Sequence, residues 1–187
     1  MIFASVFIIQ VQYMRLKSVY KQLRNVLIDS HKRALADGLI EGEGCSIIGR
    51  RVNFGSEPYL IKLGNHVRVS FNVTFVTHDG GTWAFRDIPQ YSDVIKYGTI
   101  VVGDNSFIGC HSTILPGVTI GKRCVIGAGS VVTKDIPDGM VACGVPARVI
   151  MTTEEYAEKC KSNMLPYDKD KYGRNKKAYL QELLMKE

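Results

Sequence analysis

Between residues 102 and 137 an apolar side chain returns at every sixth position. Written in sixes, the stretch reads VGDNSF, IGCHST, ILPGVT, IGKRCV, IGAGSV, VTKDIP. Val102, Ile108, Ile114, Ile120, Ile126 and Val132 open the hexads, and Gly103, Gly109, Gly121 and Gly127 stand second. The fifth place holds Ser106, Ser112, Val118, Cys124, Ser130 and Ile136, mostly small. An earlier, looser run has the same form: Ile48-Gly49, Phe54-Gly55, Leu63-Gly64, then Val69 and Phe75. A period of six suits neither a helix (3.6) nor a plain strand (2). It predicts an all-β solenoid, a parallel β-helix whose short strands turn a corner every six residues, three hexads to a coil. First-place aliphatics point inward and small fifth-place residues fit crowded corners, while glycine tolerates the positive φ of turns. A sandwich of short strands would not hold six consecutive hexads in register.

Outside the repeat the period changes. Residues 19–31, VYKQLRNVLIDSH, put Val19, Leu23, Val26 and Leu27 at helical spacing. After Ile150, Thr152 and Glu155 form a capping box for a helix near 153–161, and Leu180, Leu183 and Leu184 mark another near 176–185. The expected organisation is an N-terminal apolar segment and helix (1–38), a β-helix (39–150) and a C-terminal helical tail (151–187). The opening MIFASVFIIQVQYM is apolar for about a dozen residues, short of the roughly 20 that a membrane span needs. A signal peptide would want a basic start and a small-residue cleavage site, and neither is clear here. It is expected to pack on the protein or a neighbour, with no membrane span.

Length and charge narrow the classes. The 187 residues suit one domain with a small appendage. A net charge of +6 is compatible with a phosphorylated ligand, and no interleaved basic and aromatic pattern points to nucleic acid. Cys45, Cys110, Cys124, Cys143 and Cys160 form no CxxC pair and no zinc spacing. They read as free thiols in a reducing, cytoplasmic setting.

The chemistry is expected where the repeat breaks. From Phe75 to Val102 is twenty-seven residues, not a multiple of six, so a loop of about 77–98 must leave the solenoid. Loops on rigid scaffolds carry sites. His78, at the root of FVTHDGGTW, is suited to take a proton near neutral pH. Asp79 points to the opposite side of an extended chain unless Gly80 and Gly81 let it turn; a backbone carbonyl is the rival partner for His78. Trp83, Phe85 and Arg86 fit either an acceptor pocket, with a sugar stacked on Trp83, or packing between subunits. Residues eighteen apart stack about 4.8 Å apart, so Cys110 lies on Ala128 and His111 on Gly129. A long ligand can lie against the small column. His66 and His111, fourth in their hexads, point outward; His31 falls in the helical segment with no assigned role.

The run IGCHSTILPGVTIGKRCVIGAGSVVTKDIPDGMVACGVPARVI resembles the hexapeptide-repeat acyltransferases, similar to galactoside, maltose and xenobiotic O-acetyltransferases. THDGGTWAFRD resembles the members that acetylate surface polysaccharides or their precursors. The resemblance implies a left-handed coil, against the ~98% right-handed rule for parallel crossovers, and a homotrimer with active sites between subunits. It implies acetyl-CoA as donor, a saccharide or other small acceptor, and His78 as general base in direct transfer. It places Cys110, where a serine is usual, with Ala128, Thr133, Lys134 and Arg148 along the CoA. Transfer to an amino sugar or antibiotic nitrogen shares this chemistry and stays open. A non-catalytic β-helix assembly module is the alternative of another class. A zinc enzyme of this fold needs closely spaced histidines, which His66, His78 and His111 do not supply, so no metal is expected.

Overall fold

The structure is a computed structural model that describes residues 29–49, 51–165 and 168–185. The apolar opening and most of the helix expected at 19–31 lie outside the described residues. The chain divides into two compact units, one up to Thr153 and one from Glu154 onward.

The first unit is a left-handed parallel β-helix. Its four-stranded face runs β1 (Ile40–Glu41), β3 (Ile61–Leu63), β6 (Ile100–Val102) and β9 (Thr119–Ile120). The six-stranded face runs β2 (Ser46–Ile47), β4 (Arg68–Val69), β7 (Phe107–Ile108), β10 (Val125–Ile126), β12 (Met140–Gly144) and β13 (Ala147–Thr152). The three-stranded face holds β5 (Thr74–Phe75), β8 (Thr113–Ile114) and β11 (Val131–Val132). All pairs are parallel except β12 with β13, a closing hairpin. Ile126 pairs with Ile108, and Val132 with Ile114, the eighteen-residue stack that the hexads predict.

The hexad places have distinct physical jobs. First-place Val102, Ile108, Ile114, Ile120, Ile126 and Val132 are at most 1% exposed and fill the interior. Each contributes roughly 1.5–3 kcal/mol by leaving water. Fifth-place serines mend the corners: Ser106 Oγ donates to the Gly121 carbonyl (2.8 Å) and accepts from the Cys124 N–H (2.9 Å). From Leu63 onward positive φ falls at the fourth place and not at the second as the sequence suggests, whereas Gly55, second after Phe54, has φ 70°. His66, Asn72, Asn105, His111 and Arg123 sit at the fourth place at φ 53–59°, and Gly117 and Gly129 share it. Second-place glycines answer to the next coil instead. A Cβ on Gly109 would lie 2.6 Å from the Ala128 nitrogen and 2.7 Å from the Ile126 oxygen.

The earlier run is shifted by one. Ile47, not Ile48, pairs with Val69 and packs against the core. Asn53 bridges Thr74, which restores Phe54 beside Phe75 with rings 5.4 Å apart. Stacking offsets here are therefore twenty-two and twenty-one residues rather than eighteen.

A short helix, α1 (Ser30–Ala36), starts where the expected N-terminal helix was to end, capped by the Asp29 side chain. His31, to which the sequence assigns no role, ties α1 to the first coil. Its Nε2 lies 2.6 Å from Glu41 Oε2 and its ring stacks on Phe54. In the second unit α2 (Thr153–Ser162) and α4 (Lys176–Leu184) stand where expected. A further helix, α3 (Lys169–Arg174), is started by Asp168, which accepts from the Asp170 and Lys171 N–H groups. Gly173 within it masked the helical signal.

Gly109→Ala is expected to destabilise the protein by about 1–3 kcal/mol in urea titration. Gly80→Ala, where an added Cβ meets nothing within 4 Å, should change stability by no more than about 0.5 kcal/mol.

Candidate active site

The loop leaves the solenoid at the corner after β5 and is pinned at its root. Gly98 N–H donates to the Thr77 carbonyl and Asp79 N–H to the Lys96 carbonyl, each at 2.9 Å. His78 and Tyr97 pair across this antiparallel neck, with ring centroids 5.7 Å apart. Beyond it Gly80–Phe85 makes a 3₁₀ turn, begun by the Asp79 carboxylate accepting from the Gly81 N–H (2.9 Å). Asp79 also binds Lys96 Nζ at 2.8 Å. It therefore anchors the loop, and its side chain is not the partner of the His78 ring.

That partner is Glu57. Its Oε2 lies 3.0 Å from His78 Nδ1 and accepts from Thr77 Oγ1 at 2.5 Å. The Asn53–Thr74 bridge sets Glu57 beside His78 on the neighbouring coil. The sequence reading missed it because an eighteen-residue offset from His78 reaches Leu60; the signal was the twenty-one-residue offset of this coil. Glu57 is 13% exposed at its side chain and His78 43%. Burial pushes the Glu57 carboxyl up, but bonds from Thr77 and His78 and the histidine's charge outweigh it, leaving Glu57 below the ordinary carboxylate value. An ionised carboxylate only accepts hydrogen bonds, so His78 Nδ1 carries a proton, and in the neutral ring Nε2 keeps its lone pair. That arrangement can accept a proton from a substrate hydroxyl.

A hollow of about 190 Å³ lies beside this pair, lined by His78, Asp79, Trp83, Arg86, Lys96 and Tyr97 among others. The structure thus brings four of the expected site residues together. Trp83 is 77% exposed, and the Arg86 guanidinium lies 5.9 Å from its ring centroid, cation–π range.

The expected CoA-contacting residues stand elsewhere in the chain. Val76, Leu115 and Thr133 follow successive strands of the three-stranded face. Thr133 and Lys134 therefore share the His78 corner, two coils or about 10 Å away. Cys110 and Ala128 lie at the opposite edge of that face, at the corner before β8 and β11. Cys110 is half-buried and Ala128 exposed; Gly129 N–H donates to the Cys110 carbonyl at 2.8 Å. Arg148, on β13, pairs with Cys143, and its Nη1 donates to the Ala147 carbonyl at 3.0 Å. Lys134 and Arg148 are exposed and form no ion pair among the described residues, which fits them to phosphate groups. The five cysteines are free thiols. No described helix is long and apolar enough to cross a membrane.

With fold and site in view, comparison with known proteins places the chain. Residues 99–134 match the family described as bacterial transferase hexapeptide (six repeats). Protein CapG of Staphylococcus aureus is 47% identical over 144 residues, which is 76% of this chain and 82% of CapG. The chain belongs to the hexapeptide-repeat transferase family. The galactoside O-acetyltransferase of Escherichia coli K12 is 43% identical over 94 residues, 50% of this chain and 45% of that enzyme. Among solved structures, a maltose O-acetyltransferase from Clostridium difficile 630 superposes with a TM-score of 0.52 at 35% identity, over 62% of this chain and 59% of that one. The chain spans about half the length of these named O-acetyltransferases. The fold alone is shared with the Vibrio cholerae hexapeptide-repeat acetyltransferase VCA0836 (TM-score 0.54, 21% identity, 76% and 92% covered).

Glu57 gives a stability signature with a defined sign. Its folded value is depressed, so its contribution is full above the unfolded carboxylate value near ~4.3 and is lost as pH falls through the lower folded value. Wild type is expected to exceed Glu57→Gln by about 1–3 kcal/mol at pH 7. The gap should close in acid, as measured by urea unfolding at stepped pH.

Proposed function

We propose that this protein is an acetyl-CoA-dependent O-acetyltransferase that acts on a sugar hydroxyl, in the assembly of surface polysaccharide, as a homotrimer. The single observation that carries the reading is the Glu57–His78 pair beside an aromatic hollow at the root of the loop. The O-acetyltransferase names of two relatives support the reaction class.

Thr77 and Glu57 hold the His78 ring so that Nε2 takes the acceptor's hydroxyl proton. The acceptor oxygen bonds to the acetyl carbon, the carbon–sulfur bond breaks, and His78 returns the proton to the departing thiolate. Base catalysis of this kind is worth ~10²–10⁴-fold, and fixing the two substrates together supplies much of the remainder. Lys134 and Arg148 serve the CoA phosphates, and Thr133 and the Cys110–Ala128 column the rest of the donor. Cysteine is a weaker hydrogen-bond donor than the serine usual at that position. Within one chain the column and His78 occupy opposite edges of one face. A trimer that sets one copy's edge against the next copy's opposite edge brings them together, which is the reason to expect sites between subunits.

His78→Ala is expected to lower kcat by two or more orders of magnitude while calorimetry still registers acetyl-CoA binding; near-normal turnover would remove His78 from its role. Lys134→Ala combined with Arg148→Ala should raise the acetyl-CoA Kd more than it lowers kcat at saturation. Unchanged affinity would sink the phosphate assignment.

A further inference from the structure

The charges around the hollow are unevenly spent. Glu57 is committed to His78 and Thr77. Asp79 and Lys96 neutralise one another at 2.8 Å. Of the charged side chains Asp79, Lys96 and Arg86 that line the hollow, Arg86 alone has neither an ion pair nor a side-chain hydrogen bond with the described residues. Its guanidinium is held near Trp83, whose ring is largely open to solvent. An aromatic face flanked by an unspent planar cation suits a ring that is apolar on one side and anionic at its rim. The hollow's 190 Å³ is below the roughly 300–1,000 Å³ of drug-sized ligand sites, so it takes one ring rather than a chain.

We infer that the acceptor is an anionic sugar residue, bearing a carboxylate or a phosphate, whose ring stacks on Trp83 and whose anion is bound by Arg86. This rests on the O-acetyltransferase reading and names its substrate class. A guanidinium binds either anion through two parallel N–H···O bonds, which a neutral hydroxymethyl group cannot accept with charge.

The test is radiolabelled acetyl transfer to methyl galactoside, methyl galacturonide and galactose 6-phosphate by the full-length protein. Wild type should favour at least one anionic acceptor over the neutral one by at least tenfold in kcat/KM, or ~1.4 kcal/mol. Which anion wins separates carboxylate from phosphate. Arg86→Gln should collapse that ratio toward one through the acceptor KM, and Arg86→Lys should keep part of it. Equal use of neutral and anionic sugars, or an undiminished ratio in Arg86→Gln, overturns the inference and leaves the O-acetyltransferase reading standing. Failure to acetylate any of the three while acetyl-CoA binds overturns both.

Discussion

The structure depends on hydrogen bonding from each coil to the one after it. Gly64 donates to Val102, Gly103 to Ile120, Gly109 to Ile126 and Gly127 to Ala142, each at 2.8 Å. Every strand is only a few residues long, and no pair would stand alone. The ladder continues because each coil repeats the same inward aliphatic, the same left-handed corner and the same bare glycine where the next backbone passes. Side chains join it at the corners. Asn65 Oδ1 accepts from the Glu43 N–H, Asp104 Oδ1 from Asn65, and Asp138 Oδ1 from Lys122. A break in this regularity must leave the solenoid, and the loop after Phe75 does so.

The break makes a rigid place for chemistry. His78 lies three residues past the last solenoid strand; its backbone pairs with Tyr97 across the neck, while its ring meets Glu57 of the preceding coil and borders the hollow. One carboxylate, Glu57, orients that ring and the next, Asp79, holds the loop shut through Lys96 and Gly81. Lys96 beside Asp79 keeps its carboxyl below the ordinary range, with the Gly81 N–H adding to the effect. Two neighbouring acids thus do separate work, and neither is available to act on a substrate as the base.

The solenoid could be read from the chain because Val102 through Val132 keep a strict six-residue period, and nothing local competes with it. The irregular coils could not be placed so well. One extra residue before Phe54 shifts Ile47 into the place expected for Ile48, and a one-residue shift reverses which side chain faces the core. Three further residues between Phe54 and Leu63 lengthen the offset to twenty-one and hid Glu57. His78, Trp83 and Arg86 were legible because the broken pattern and their chemistry coincide in one stretch. Lys96 and Tyr97 were not, since an antiparallel neck closes a loop across a span that no period describes. The left-handed coil came from resemblance, because general crossover sterics point to the opposite hand.

The central claim is that Glu57 fixes the His78 ring with its proton on Nδ1 and its lone pair on Nε2. Long-range ¹H–¹⁵N NMR of the histidines, in wild type and Glu57→Gln, tests it most directly. At a pH where the ring is neutral, the account predicts a protonated Nδ1 and a bare Nε2 for His78 in wild type, with that preference lost in Glu57→Gln. A proton on Nε2 in wild type, or the same tautomer mixture in both proteins, would contradict it.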